Sequence, residues 1–221
     1  MSSPTKTSRA EDIYRTLKEE IRSNRLHPGA QIPEPELAGR LDVSRTTLRE
    51  ALIRLEADGL VELIPRRGVR ILPLRADDMG EIYEILTALE ADVAVAMARK
   101  RPAAHELQPL QDAIDAMQRA VDMEDLDAWA GADDRFHTVF LEIHGNRRLK
   151  RVVETLSDQA HRARIATLHL RNIPKRSTEE HQAILDAILA GDAKQARKAL
   201  RSHRARAARE LLDILDKLSQ L

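Results

Sequence analysis

The chain has 221 residues, with 36 Lys/Arg balanced by 36 Asp/Glu, no cysteine and only 2% aromatic residues. This length suits two domains of roughly 70 and 150 residues, and the charged, Ala/Leu-rich composition favours helix over sheet. Disulfides and thiolate metal sites are excluded, so any metal would have to be held by His and carboxylates. No run approaches the roughly 20 apolar residues that cross a bilayer, so a cytoplasmic protein without a membrane partner is expected. Met1 to Arg75 carries 14 Lys/Arg against 11 Asp/Glu, a mild basic bias that hints at a polyanionic partner.

Residues 1–8 (MSSPTKTS) read as a disordered tail. Ile13, Leu17 and Ile21 then recur at helical spacing up to a stop at His27-Pro28-Gly29. Glu34 to Leu41 forms a short second helix, and Ser44 is a good N-cap for a third running to about Asp58. After Gly59 the period becomes strand-like over Leu60 to Ile64 and Val69 to Leu72, joined by Pro65-Arg66-Arg67-Gly68. Three helices and a hairpin are the order of a winged helix-turn-helix, placed at 9–74.

Beyond the linker around Pro73 and Arg75, six helices are expected and no strand. They lie at about Ala76 to Arg99, Ala103 to Met123, Asp125 to Ile143, Asn146 to Leu170, Arg176 to Leu189 and Asp192 to Lys217. The predicted fold is mainly α: the winged helix followed by an all-α antiparallel bundle over 75–221.

A helix that enters the major groove needs short polar and basic residues on its outward N-terminal turns. Arg45, Thr46, Thr47 and Arg49 supply them, with Arg45 and Arg49 on one face and Leu48 and Leu52 turned inward. Arg66 and Arg67, beside Gly68, could reach an adjacent minor groove or the backbone. The bland alternative is a solvated face with local ion pairs to Glu50 and Asp58.

The stretch "LKEEIRSNRLHPGAQIPEPELAGRLDVSRTTLREALIRLEADGLVELIPRRG" closely resembles the GntR family of regulators. The resemblance implies DNA contacts at Arg45, Thr46, Thr47 and Arg49, and in the wing at Gly68 and its basic neighbour Arg67. Pro35 stands where relatives often carry a DNA-touching arginine, so that contact is expected to be missing. Because one recognition helix covers few base pairs, a homodimer reading an inverted-repeat operator in double-stranded DNA is expected.

In the bundle, Asp133 and His137 are four apart on an apolar helix face with Leu126, Ala130, Phe140 and Leu141, where a carboxylate and an imidazole need partners. His181 shares a face with Ile184, Leu185 and Ile188, and His203 shares one with Leu200, Ala207 and Leu211. The turn at Gly191-Asp192 lies midway between these two histidines, so an antiparallel hairpin brings them to one height. Four inward ligands can then meet, a set suited to a divalent ion, zinc first, with Ni, Mn or Fe also possible. Any one of these histidines could instead be a core imidazole hydrogen-bonded to a neighbour.

The segments "IYEILTALEADVAVAMA", "DDRFHTVFLEIHGN", "EEHQAILDAILAGDAKQARKAL" and "RSHRARA" resemble the FCD domain of FadR-like GntR regulators, in its shorter, VanR-like variety. The resemblance implies metal ligands at Asp133, His137, His181 and His203 and a small carboxylic acid effector beside the metal. Relatives often carry an effector-holding arginine where this chain has Leu86. Arg164, about 60° from the apolar stripe of its helix, could replace it, whereas Arg162 is expected to point away; a solvated, snorkelling Arg164 is the alternative. The expected function is a repressor controlled by an organic acid. A metal sensor without an organic effector, a structural DNA-bridging protein and a metal-dependent hydrolase with an accessory DNA-binding module are the competitors. The hydrolase lacks a HExxH, a G-x-S-x-G and a glycine-rich phosphate loop.

Overall fold

The computed structural model describes residues 9–220, so the tail expected over 1–8 lies outside the described residues. The chain divides into two compact units, Met1–Leu74 and Arg75–Leu221.

The first unit contains α1 (Arg9–Arg22), β1 (Gln31–Ile32), α2 (Glu34–Arg40), α3 (Arg45–Ala57), β2 (Val61–Ile64) and β3 (Gly68–Ile71). The Ser44 side chain accepts from the Thr47 amide at 3.1 Å, satisfying one of the free donors that start α3. Ile13, Leu17 and Ile21 pack with Leu48, Leu52 and Leu55 and with Leu60, Val69 and Ile71 of the wing in one core. That core fixes the outward face of α3 by burying the opposite one.

The wing is a three-stranded antiparallel sheet in the order β1-β3-β2, one strand more than the sequence predicts. β1 escapes a periodicity argument because it has two residues and runs into Pro33. Gly68 is required where these strands meet. It has φ +97°, and a Cβ there would stand 2.1 Å from the Ile32 carbonyl oxygen. Gly68→Ala is therefore expected to lower the stability of this unit by about 2 kcal/mol through strain and loss of the β1–β3 pairing. A urea titration of the variant checks this.

The second unit contains α4 (Ala76–Lys100), α5 (Ala104–Asp122), α6 (Leu126–His144), α7 (Arg147–Ala166), a 3-10 turn (Leu168–Leu170), α8 (Lys175–Leu189) and α9 (Ala193–Ser219). Asp125, Asn146 and Asp192 cap α6, α7 and α9 through their side chains, and Gly145, at φ +84°, ends α6. α4 packs on α7, α8 and α9, α5 packs on α6 and α8, and α8 packs on α9. Trp129 on α6 donates its indole N–H to Thr178 on α8 at 3.0 Å, a buried tie between these helices.

Two expectations need correction. The helix expected over Asn146 to Leu170 stops at Ala166, where Thr167 turns its hydroxyl back to the Ala163 carbonyl at 2.9 Å and the chain tightens into the 3-10 turn. Arg162 does not point away but is 2% exposed. α7 is flanked by both α4 and α6, so the bundle covers a wider arc of it than its apolar stripe suggests. Burial pulls the Arg162 pKa down to about 10.

Candidate DNA interface and ligand centre

On α3, Arg45, Thr46 and Arg49 are exposed and Thr47 is half-buried, its hydroxyl 2.8 Å from that of Ser44. Arg49 lies 3.5 Å from Glu34, so its guanidinium is loosely held over the helix face without being withdrawn from solvent. Arg54, outside this set, is engaged by Glu11 instead of the sequence-local acids. In the wing, Arg66 takes the left-handed conformation at φ 64° and Arg67 is exposed beside it, while Gly68 is buried. The six residues singled out on sequence grounds thus fall in two groups. Arg45, Thr46, Thr47 and Arg49 form a polar, basic helix face, and Arg67 and Gly68 belong to the adjoining turn.

In the second unit, Asp133, His137, His181 and His203 come together from α6, α8 and α9, all buried. The three histidines present ligand atoms within 4.8 Å of one another. His181 Nε2 is 3.4 Å from His137 Nε2 and 3.5 Å from Asp133 Oδ1, which is 3.8 Å from His137 Nε2. His181 Nδ1 donates to the Ser177 carbonyl at 2.7 Å, and His203 Nδ1 donates to Glu180 at 3.0 Å. Those acceptors place the proton on Nδ1 and leave Nε2 of each ring as a lone pair.

The electrostatics disfavour the charged forms of His137 and His181 and favour the Asp133 carboxylate. Burial, reinforced by the neighbouring Arg204 and histidines, drives His137 well below the ordinary histidine range. Burial and His203 bring His181 down to about 3. Burial opposes ionisation of Asp133, but the guanidiniums of Arg164 and Arg204 help to outweigh it and hold the carboxyl below its usual range. Burial also disfavours the Glu180 carboxylate, yet hydrogen bonds from His203 and Arg206 bring it to about 2.

Sequence reasoning missed the charged groups around this cluster. Glu90 is fully buried on α4 and accepts from Arg204 Nε at 2.7 Å, while Arg204 Nη2 reaches His137 Nδ1 at 3.0 Å. Glu180 is held by Arg206 at 2.8 Å. The signal was present: Glu90 interrupts the apolar stripe Tyr83, Leu86, Val93 and Met97, and Arg204 lies beside His203 on the covered side of α9.

A cavity of about 430 Å³ opens on this cluster and is lined in part by Asp133, His137, His203 and Arg164. Arg164 Nε lies 3.5 Å from Asp133 Oδ2. Although burial works against its charge, Asp133 more than compensates and raises its pKa. The α4 residue on the cavity wall is the buried Tyr83. Leu86, one turn on, is fully buried.

A winged helix followed by a helical unit with a polar cavity is the architecture of a two-domain transcription regulator. Residues 9–71 match the bacterial regulatory proteins of the gntR family, and residues 81–206 match the FCD domain. The chain belongs to the GntR family, in its FadR-like, FCD-bearing branch, and the family is one of regulators rather than enzymes. An HTH-type transcriptional regulator from the TAR-I ttuE-ttuC' intergenic region of Agrobacterium vitis is 40% identical over 61% of this chain and 80% of its own length. A protein of Paenarthrobacter nicotinovorans, named as a D-xylose utilization operon transcriptional repressor, is 31% identical over 87% of this chain and 84% of its own. A crystal structure from Rhodococcus sp. RHA1, described as a GntR regulator, superposes with a TM-score of 0.80 at 25% identity, covering 94% of this chain and 99% of that one.

Proposed function

We propose that this regulator is a homodimeric repressor of an inverted-repeat operator, released when a small carboxylic acid binds beside a divalent metal ion held by Asp133, His137, His181 and His203. The observation that carries the reading is the donor cluster itself. Three histidines from three helices present ligand atoms within 4.8 Å of one another, and Asp133 lies 3.5 Å from His181 and 3.8 Å from His137. Asp133, His137 and His203 reach the wall of a cavity, and the Nδ1 acceptors of His181 and His203 set the lone pairs on those two rings. The third ring, His137, has its Nδ1 within 3.0 Å of the Arg204 guanidinium, which Glu90 in turn holds. An oxygen and three nitrogens suit zinc first, with nickel, manganese or iron of the same donor preference. The ion would supply a concentrated positive charge in a low-dielectric pocket, where a carboxylate is attracted most strongly.

An acid that changes operator affinity by the common allosteric amount, about 1–3 kcal/mol, must prefer one conformation of the helical unit by the same coupling energy. Anisotropy titrations with an operator fragment selected from genomic DNA test the reading. With zinc present, a library of small organic acids should contain one that weakens binding, and the effect should vanish with a chelator. An acid response that survives metal removal, or a response to metal with no acid effective, overturns it.

At the DNA face, Arg49→Ala should weaken operator binding by about 1–3 kcal/mol and relax base discrimination, because an arginine fork is a major-groove reader of guanine. The same titration, run on the operator and on single-base variants, measures both quantities.

A further inference from the structure

The arginines that line the cavity are not equivalent. Arg164 faces Asp133 at 3.5 Å, Arg204 is bonded to Glu90, Arg206 is bonded to Glu180 and Glu210, and Arg176 faces Glu180 at 3.3 Å. Each of these cations has a carboxylate. Arg171, in the strap between the 3-10 turn and α8, has none in contact. Its Nε and Nη2 both converge on the neutral Thr167 hydroxyl, at 3.2 and 2.7 Å. The Thr167 hydroxyl gives its own proton to the Ala163 carbonyl, so it acts as a fixed strut for the guanidinium. Glu210 attracts Arg171 from farther off, but its carboxylate is 2.8 Å from Arg206. Burial lowers the pKa of Arg171, the mark of a cation whose charge is incompletely compensated.

We propose that Arg171 is a second anion contact of the cavity and that the effector class is a small dicarboxylic acid, with one carboxylate at the Asp133–histidine centre and the other forked onto Arg171. This rests on the reading that an acid binds beside a metal at that centre. One uncompensated guanidinium matches one carboxylate, whereas a dianionic phosphate would call for further free cations that the wall does not offer. Between the charged groups the wall carries Trp129, Leu168 and Ile173, apolar surface suited to a methylene spacer. A monocarboxylate of the same length would place a methyl group where the guanidinium needs an acceptor, leaving that cation unpaired and desolvated.

Calorimetric titration of the zinc-loaded full chain with butyrate, succinate and glutarate tests the assignment. The better of the two diacids should bind about tenfold or more tighter than butyrate, the scale of one charge-assisted fork. In Arg171→Gln, which can still reach Thr167, the ratio of diacid to butyrate affinity should collapse towards one. Arg171→Lys, which keeps the charge without the fork, should retain part of the ratio. Equal binding of butyrate and the diacids to the parent chain, or an unchanged ratio in Arg171→Gln with a normal melting temperature, overturns the proposal while leaving the metal–acid centre standing. If none of the three acids binds, or they bind equally well after zinc is stripped, the metal–acid centre itself fails and the diacid assignment falls with it.

Discussion

Arg204→Met should destabilise the helical unit by about 3–5 kcal/mol, because it leaves a fully buried carboxylate without its cation. Glu90 has 0% exposure and Arg204 2%, and the two meet across α4 and α9. Neither can turn to water when the other is removed. The substitution also takes the Arg204 Nη2 donor away from His137 Nδ1. The cost should be mostly that of an orphaned charge, since a buried ion pair replaced on both sides by apolar groups is often neutral or stabilising. The double variant Glu90→Leu/Arg204→Met should therefore recover most of the loss. Urea unfolding at pH 7 of the parent chain, the single variant and the double variant decides the matter. A double variant as unstable as the single one would mean that the pair contributes more than its charges cost.

The second large effect is on pH. In metal-free protein, His137 and His181 titrate well below an unfolded histidine near 6.5, His181 at about 3. Above the unfolded value, neither the folded nor the unfolded chain carries these protons and the stability is fully present. As pH falls below it, the unfolded chain takes up protons that the folded chain refuses, and the native state loses ground until the folded values are reached. Each histidine contributes a slope of up to about 1.4 kcal/mol per pH unit, so lowering the pH from 6.5 to 4.5 should cost several kcal/mol. Asp133, also held below its usual range, adds to the loss at lower pH. Melting curves from pH 7 to 4.5 in chelator check this, and His181→Leu should flatten the slope by about half if both histidines contribute equally. A flat profile over that interval contradicts the buried, neutral assignment.

Most of the framework was legible because local signals agreed with the tertiary result. Ser44 caps α3 as its position suggested, and α6, α7 and α9 start beside Asp125, Asn146 and Asp192, where the pattern opened those helices. The inward spacing of Asp133, His137, His181 and His203 brought them together once their helices packed. What escaped has a common cause. Periodicity reads one element at a time, so a two-residue strand such as β1 gives no period and the Thr167 break hides in an uninterrupted helical pattern. The Glu90–Arg204 pair joins positions 114 residues apart, and an i, i+4 argument reaches only partners on the same helix. Arg162 was misplaced for the converse reason: its helix is covered on more sides than its own apolar stripe records. Arg171 and Glu180 gained meaning only when the cavity and the His203 ring were in place around them.

If Asp133, His137, His181 and His203 form one metal centre, calorimetric titration of zinc into chelator-stripped chain, alongside His181→Ala and Asp133→Asn, should find one zinc per parent chain. His181→Ala should lose more than about 100-fold in affinity, beyond the range of changes that merely reorient a ligand. A parent chain that takes up no zinc, or a folded His181→Ala that binds it as tightly as the parent, would contradict that centre.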